Sequence, residues 1–206
     1  CGEPGLAWLR SLPDDYMTKK QTVSYAGLFD DVGADAWYAP AVDYVKYGRL
    51  MYGTGNNLFQ PDAQMTRAMF AQVLYALEGA PSVKGLSCPF TDVGGSWYTD
   101  AVIWAYHAGV VAGVSATQFA PNEVLTREQM VTMLYGYAGR EETLSGSDGA
   151  LASYQDQASV SGWAREAMAW AVSTGVITGT STTTLAPQKV STRAEVATVL
   201  MQFCEQ

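Results

Sequence analysis

Three arginines carry the most chemistry in this sequence, because each stands in the same frame. Arg67, Arg127 and Arg193 each follow a threonine, and the pairs Thr66-Arg67, Thr126-Arg127 and Thr192-Arg193 begin five residues after Pro61, Pro121 and Pro187. A guanidinium grips a carboxylate through two parallel N–H bonds, so a recurrent arginine is a candidate reader of an acidic group. Upstream in the frame stand Gly53, Gly113 and Gly179, then an aromatic-x-Asp triplet ending in Asp31, Asp92 and Asp156, each followed by a tryptophan, Trp37, Trp97 and Trp163. Acid, indole, glycine and guanidinium together are what recognition of an anionic sugar would use. The aromatic face is a platform for a sugar ring, and the polar groups take its hydroxyls and charge.

Each residue type also has a plainer use. An arginine in the first turn of a helix opposes the helix dipole, at a cost of a few tenths of a kcal/mol or more. Three such placements imply that the charge is used, in pairing with an acid of the Asp31 type, in contact with an anionic ligand, or in both. The tryptophans serve equally as core or staple residues. The aspartates serve equally as caps of a following helix, the commoner use of Asp just before one.

The elements that must position these side chains are helices. After each tryptophan runs an apolar helical face: Ala41, Val42, Tyr44 and Val45; Ala101, Val102, Trp104 and Ala105; Ala167, Met168, Trp170 and Ala171. The leading tryptophan precedes the second aromatic by seven residues, which places both on one side of that helix. Gly109 and Gly175 suit the left-handed position that closes a helix. Repeat one has Arg49 there, so its first helix is expected to end sooner or differently. A second helix begins at each Thr-Arg pair, with threonine as N-cap. Thr192 with Glu195 and Thr126 with Gln129 read as capping boxes, whereas Thr66 with Met69 lacks the reciprocal acceptor. The second helices carry i, i+3, i+4, i+7 apolar faces: Phe70, Val73, Leu74, Leu77; Met130, Met133, Leu134, Tyr137; Val196, Val199, Leu200, Phe203.

Three copies of one frame make a repeat array. The repeats run over residues 29–79, 90–139 and 154–206, joined by a short linker at 80–85 and a longer Gly/Ser-rich one at 140–149 that reads as a surface loop. Residues 1–28 match nothing later and read as a cap over one end of the array. The apolar faces are each too small to be buried alone, so the three repeats are expected to form one cooperative domain.

Composition narrows the function classes. The chain has 206 residues, 48% hydrophobic and 16% charged, enough to bury a core. A net charge of -8 argues against nucleic acid, which is met by a basic face. No run approaches the roughly 20 apolar residues of a membrane span. Cys1, Cys88 and Cys204 are widely spaced, and no His/Cys cluster suggests a metal. A Cys1–Cys204 disulfide and three unpaired thiols both stay open. An N-terminal cysteine is also what a matured lipoprotein would show, but no lipobox is visible. His107 is the single histidine, and neither a Ser-His-Asp order nor a Gly-rich phosphate loop appears. Catalysis is therefore not expected, and no cofactor is implied.

With these residues in view the chain resembles a tandem of three S-layer homology domains. The resemblance covers residues 29–206 and rests on Phe-x-Asp, the tryptophan and helix, Gly-x5-Phe-x-Pro, and Thr-Arg-Ala-Glu, which stands unaltered at 192–195. It implies an all-α fold in which three helix-loop-helix repeats surround a central three-helix bundle with pseudo-threefold symmetry. It implies a monomeric module, extracellular and held to the bacterial cell wall or S-layer. Grooves between repeats would bind secondary cell-wall polysaccharide through its pyruvate ketal. The residues implied in binding are Arg67, Arg127, Arg193, Asp31, Asp92, Asp156, Trp37, Trp97, Trp163, Gly53, Gly113 and Gly179. The motif departs from the family at Met69, Gln129 and Arg49, and in the longer approach to Trp163. The groove using Arg127 ranks highest on sequence, since repeat two has the most regular opening. The rival from another class is a protein–protein scaffold on the cell surface, with the arginines and aspartates purely structural.

Overall fold

The computed structural model describes residues 28–140 and 143–205. The expected N-terminal cap, Cys1, the Glu141-Glu142 pair and Gln206 lie outside them, Leu28 excepted. The described chain is all-α, and its only β features are isolated bridges. The long helices alternate in the order the repeats predict. First helices are α1 (Ala39–Tyr47), α3 (Thr99–His107) and α5 (Arg165–Ser173); second helices are α2 (Arg67–Leu77), α4 (Arg127–Ala138) and α6 (Arg193–Cys204). Short 3-10 helices, Asp148–Ser153, Gln157–Ser159 and Gly162–Ala164, lead into α5.

The second helices begin where the threonines place them. Thr126 and Thr192 accept from the backbone N–H of Gln129 and Glu195, whose side chains accept in return from the threonine N–H groups. Thr66 makes only the first half of that exchange, with Met69. The next two amides are satisfied by the loop that follows each proline. Arg67 and Ala68 N–H donate to Glu123 and Pro121 carbonyls, Arg127 and Glu128 to Lys189 and Pro187, and Arg193 and Ala194 to Ala63 and Pro61. This accounts for the first three backbone donors that a helix start leaves without an intrahelical partner.

The first helices end alike in all repeats. Gly109 and Gly175 take positive φ of 71° and 78°, and Arg49 takes 57° at the same place. The expected irregularity in repeat one is absent: the C-cap residues Gly48, Ala108 and Thr174 are equivalent. An arginine tolerates the left-handed region at a modest cost, so a missing glycine does not move the boundary. The tryptophans do not lie on the helices. Trp37 and Trp97 precede α1 and α3 by two residues, and Trp163 sits in the 3-10 turn before α5.

The chain divides into two compact units. One comprises the described residues up to Ala63, Ala76–Ala80 and the segment from Thr192 onward; the other comprises Gln64–Tyr75 and Pro81–Ser191. In the first, α1 packs against α6, and Val42, Tyr44 and Val45 of the one and Val196, Val199 and Leu200 of the other are buried. Phe203, expected in that face, is only half-buried. Cys204 is a free thiol there, pushed up to about 12 by burial. Cys88 is also a free thiol.

In the second unit α4 packs on α5. The residues just before the three threonines meet there in a closed ring of backbone hydrogen bonds, Met65 N–H to Ser191, Ser191 N–H to Leu125 and Leu125 N–H to Met65. The linker before repeat three is no free loop. Gly146 lies so tightly on Ala169 and Trp170 that an added Cβ would stand 2.7 Å from the Ala169 carbonyl carbon. Arg165 pairs with Asp148 at 2.7 Å, fixing the 3-10 turn to α5.

Candidate functional site

The candidate residues assemble in three composite constellations, each made by the second helix of one repeat and the loop of another. In the second unit Arg67 of α2 reaches the loop of repeat two. Its Nε donates to the Phe119 carbonyl at 2.9 Å and its Nη2 to Ala112 at 3.3 Å, with the guanidinium 4.7 Å from the Phe119 ring centroid. In the first unit Arg193 of α6 does the same to repeat one. Nε donates to Phe59 at 2.7 Å and Nη2 to Tyr52 at 2.6 Å, with the Phe59 ring at 4.5 Å. Arg127 of α4 reaches repeat three, where its Nη2 donates to the Thr178 carbonyl. Leu185 stands there in place of the phenylalanine of the other two loops.

The arginines are 7%, 8% and 9% exposed in chain order. Burial lowers the pKa of Arg67 and Arg193. Glu123 and Asp92 beside the first, and Asp31 beside the second, act in the opposite direction. The acids thus lie near the guanidinium, but their direct partners are loop amides. Asp31 accepts from Phe59 and Gln60 N–H at 2.8 and 2.7 Å, Asp92 from Phe119 and Ala120 at 3.0 and 2.8 Å, and Asp156 from Leu185 and Ala186 at 2.9 and 2.7 Å. The second residue of each pair holds a positive φ, 57° at Gln60, 59° at Ala120 and 54° at Ala186. The carboxylate holds a turn that its residues would otherwise disfavour. Burial raises the pKa of Asp92 and Asp156, and these hydrogen bonds outweigh it, leaving both below the usual carboxylate range. Capping of the first helix is not their role: Tyr38, Tyr98 and Ala164 stand at those N-caps, without side-chain cap bonds.

Acid and arginine therefore clasp one residue from both sides. Phe119 N–H goes to Asp92 and Phe119 C=O to Arg67; Phe59 is held likewise by Asp31 and Arg193. The glycines have a steric reason. A Cβ on Gly53 would stand 2.7 Å from the Phe29 ring and 2.9 Å from the Leu58 carbonyl oxygen. Gly113 and Gly179 are closed in the same way by Phe90 and Tyr154 and by carbonyls of their own loops. The aromatic of each aromatic-x-Asp triplet thus packs against the glycine at the loop entry.

The tryptophans differ from the second aromatic of each frame. Trp37, Trp97 and Trp163 are 66%, 62% and 59% exposed, whereas Tyr44, Trp104 and Trp170 on the following helices are buried. Trp37 and Trp97 stand edge-on to Tyr38 and Tyr98, at 5.3 and 5.1 Å between centroids. A large indole exposed at the same place three times is not a core residue. His107 is accounted for by the Ser87 carbonyl at 2.7 Å from Nε2.

A frame of this kind, met three times with its turn held by an aspartate and its tryptophan exposed, has a counterpart among known families. The S-layer homology domain model matches residues 28–71, 89–131 and 153–197. The chain belongs to the S-layer homology domain family. It is 29% identical over 185 residues to an exoglucanase, XynX, of Acetivibrio thermocellus, covering 86% of this chain and 16% of that one. To the surface-layer 125 kDa protein of Lysinibacillus sphaericus it is 31% identical over 191 residues, covering 89% and 15%. To an S-layer protein of Bacillus thuringiensis subsp. finitimus it is 27% identical over 169 residues, covering 82% and 20%. The chain thus spans a fifth or less of these relatives. S-layer homology repeats are cell-surface, cell-wall-associated anchoring modules. No described helix is long and apolar enough to cross a membrane.

One participant is absent from the residues that the sequence singles out. Glu128 is only 2% exposed on α4 and accepts hydrogen bonds from Ser161 and Gln188 of repeat three. The signal was present, since Ala68 and Ala194 hold the same place in the other two repeats.

Proposed function

We propose that this chain anchors a bacterial surface protein to the envelope by binding pyruvylated secondary cell-wall polysaccharide at its composite sites. It does so as a monomer and without catalysis of its own. The observation that carries this reading is the exposed tryptophan of each repeat, a stacking surface kept out of the core in all three. The arginine completes the chemistry. Its Nε and one N–H of Nη2 are engaged by loop carbonyls at Arg67 and Arg193, and the N–H groups of Nη1 with the second of Nη2 remain for a ketal carboxylate. The loop carbonyls hold the guanidinium in place and the aspartate holds the loop, so little side-chain freedom is lost on binding.

The same bonds favour a second reading, a surface scaffold in which arginine and aspartate only brace the loops. Co-sedimentation with purified wall polymer separates the two. Binding that is strong with intact polymer and lost after mild acid removal of the pyruvate ketal supports anchoring through the ketal. Equal retention on both polymers, or on neither, overturns it.

A further inference from the structure

The three composite sites are not equivalent, and the difference is one side chain. At the second helical position the site of Arg67 has Ala68 and the site of Arg193 has Ala194, both buried methyl groups. The site of Arg127 has Glu128. Its Oε1 accepts from Ser161 Oγ at 2.7 Å and from Gln188 Nε2 at 2.7 Å, and its Oε2 accepts from Ser161 N–H at 3.0 Å. These partners belong to the parts that build the site. Gln188 lies between Pro187 and Lys189, whose carbonyls receive the Glu128 and Arg127 amides. Ser161 is the N-cap of the 3-10 turn Gly162–Ala164, which carries Trp163. The carboxylate therefore ties the helix start, the loop and the tryptophan turn together, using a backbone N–H, a hydroxyl and an amide.

We infer that Glu128 is an internal carboxylate plug, and that the site of Arg127, Asp156, Trp163 and Gly179 is closed to an acidic sugar while its two counterparts are open. Two physical effects act together. Three donors of the tryptophan turn and the loop, the Ser161 N–H and hydroxyl and the Gln188 amide, are already spent on Glu128 and cannot turn to a ligand. A second carboxylate brought beside this buried one would meet like-charge repulsion in a site with little water to screen it. Alanine at 68 and 194 imposes neither effect. The sequence ranking, which put the Arg127 site first, is thereby reversed. This inference rests on the reading that the composite sites take a pyruvylated sugar.

The test reads the tryptophan indole N–H signals of the whole chain by 15N NMR, during titration with a methyl hexopyranoside bearing a 4,6-pyruvate ketal. Tryptophan-to-phenylalanine variants assign the signals. In the wild-type chain Trp37 and Trp97 are expected to shift saturably and Trp163 to stay still. Glu128→Ala should make Trp163 respond, with an apparent Kd within about tenfold of that read at Trp37 and Trp97. Glu128→Gln keeps the shape and removes the charge, so it should give a weaker but measurable response, and it serves if the alanine variant does not fold. A saturable shift of Trp163 in the wild-type chain, alongside the other two, overturns the plug. So does a silent Trp163 in both variants while Trp37 and Trp97 respond. If no tryptophan responds in any protein, the pyruvylated-sugar reading itself fails and the plug falls with it.

Discussion

The loop turns of this protein are held by single carboxylates, so each turn depends on its aspartate. Asp92 takes two backbone N–H groups, one of them from Ala120 in the left-handed region. Asp92→Asn would turn an amide N–H2 toward one of those donors and remove the charge. A cost of about 1.5–3 kcal/mol is expected, since hydrogen bonds to charged groups fall in that range. Urea unfolding of the variant measures it, and a loss under about 0.5 kcal/mol, the scale of an ordinary surface substitution, would show that the turn stands without the acid. Because the folded-state pKa of Asp92 and Asp156 is depressed, their contribution is present above the unfolded value and is lost as pH falls through the folded one. Asp43 on α1 behaves in the opposite sense. Burial raises its pKa to about 6, against the pull of Lys46, and its Oδ2 has no hydrogen-bond partner among the described residues. The folded state then holds a proton that the unfolded state has released, so stability falls as pH rises from about 4 to about 6 and stays lower above that. Asp43→Asn should raise stability at pH 7 by about 1–2 kcal/mol and flatten that part of the curve, read from melting temperatures across pH. An unchanged pH profile would mean that Asp43 is not the titrating group.

At the scale of elements, the helix starts are the best-determined features, because each rests on side chains within four residues of one another. Thr126 and Thr192 close both halves of the capping box, and Thr66 closes one. Met69→Glu should complete the third and add about 0.5–1 kcal/mol, the usual worth of a cap interaction. A melting temperature equal to or below that of the parent chain would show that the missing half is not what limits α2. This locality explains what was legible in the sequence. The threonine caps, the 3.6-residue faces and the left-handed helix ends are short-range patterns. What failed to show were bonds between distant residues. Arg193 reaches Tyr52 and Phe59 across 141 and 134 positions, and Asp31 finds its amides 28 and 29 residues on. A guanidinium against the helix dipole signalled that a partner exists, but not that the partner would be a carbonyl. The tryptophan was misplaced onto the helix because a seven-residue spacing fits a helix wherever the helix begins. Arg49 suggested a break because glycine is the usual left-handed residue, although the position tolerates others. Glu128 stands out in the sequence only as an acid where its counterparts are Ala68 and Ala194, and its partners, Ser161 and Gln188, lie 33 and 60 residues away.

For the whole molecule, the pattern of partners sets what can fold alone. We propose that the three repeats unfold as one cooperative domain, and repeat two is where this is most easily tested. A fragment of residues 88–140 keeps α3 and α4 but loses the surroundings of both. Its α4 normally packs on α5, Arg127 donates to Thr178, and Glu128 is satisfied by Ser161 and Gln188, all beyond residue 140. The first two amides of α4 donate to Lys189 and Pro187, also missing. On the other side, the Phe119 carbonyl would lose Arg67. What remains is a 9-residue and a 12-residue helix. Such lengths are marginal in water without tertiary packing, since isolated helices below about 12–15 residues rarely hold. The buried charges make matters worse, because Glu128 without its donors must return to water or cost several kcal/mol. Neither compact unit is a continuous stretch of chain, so no cut between repeats spares these contacts. The fragment should give the far-UV circular dichroism of a largely unfolded chain with no sigmoidal melt. The full chain should give coincident transitions by circular dichroism and by tryptophan fluorescence. A cooperative melt of residues 88–140 would show that a single repeat buries enough on its own, and two separated transitions in the full chain would show that the compact units unfold independently.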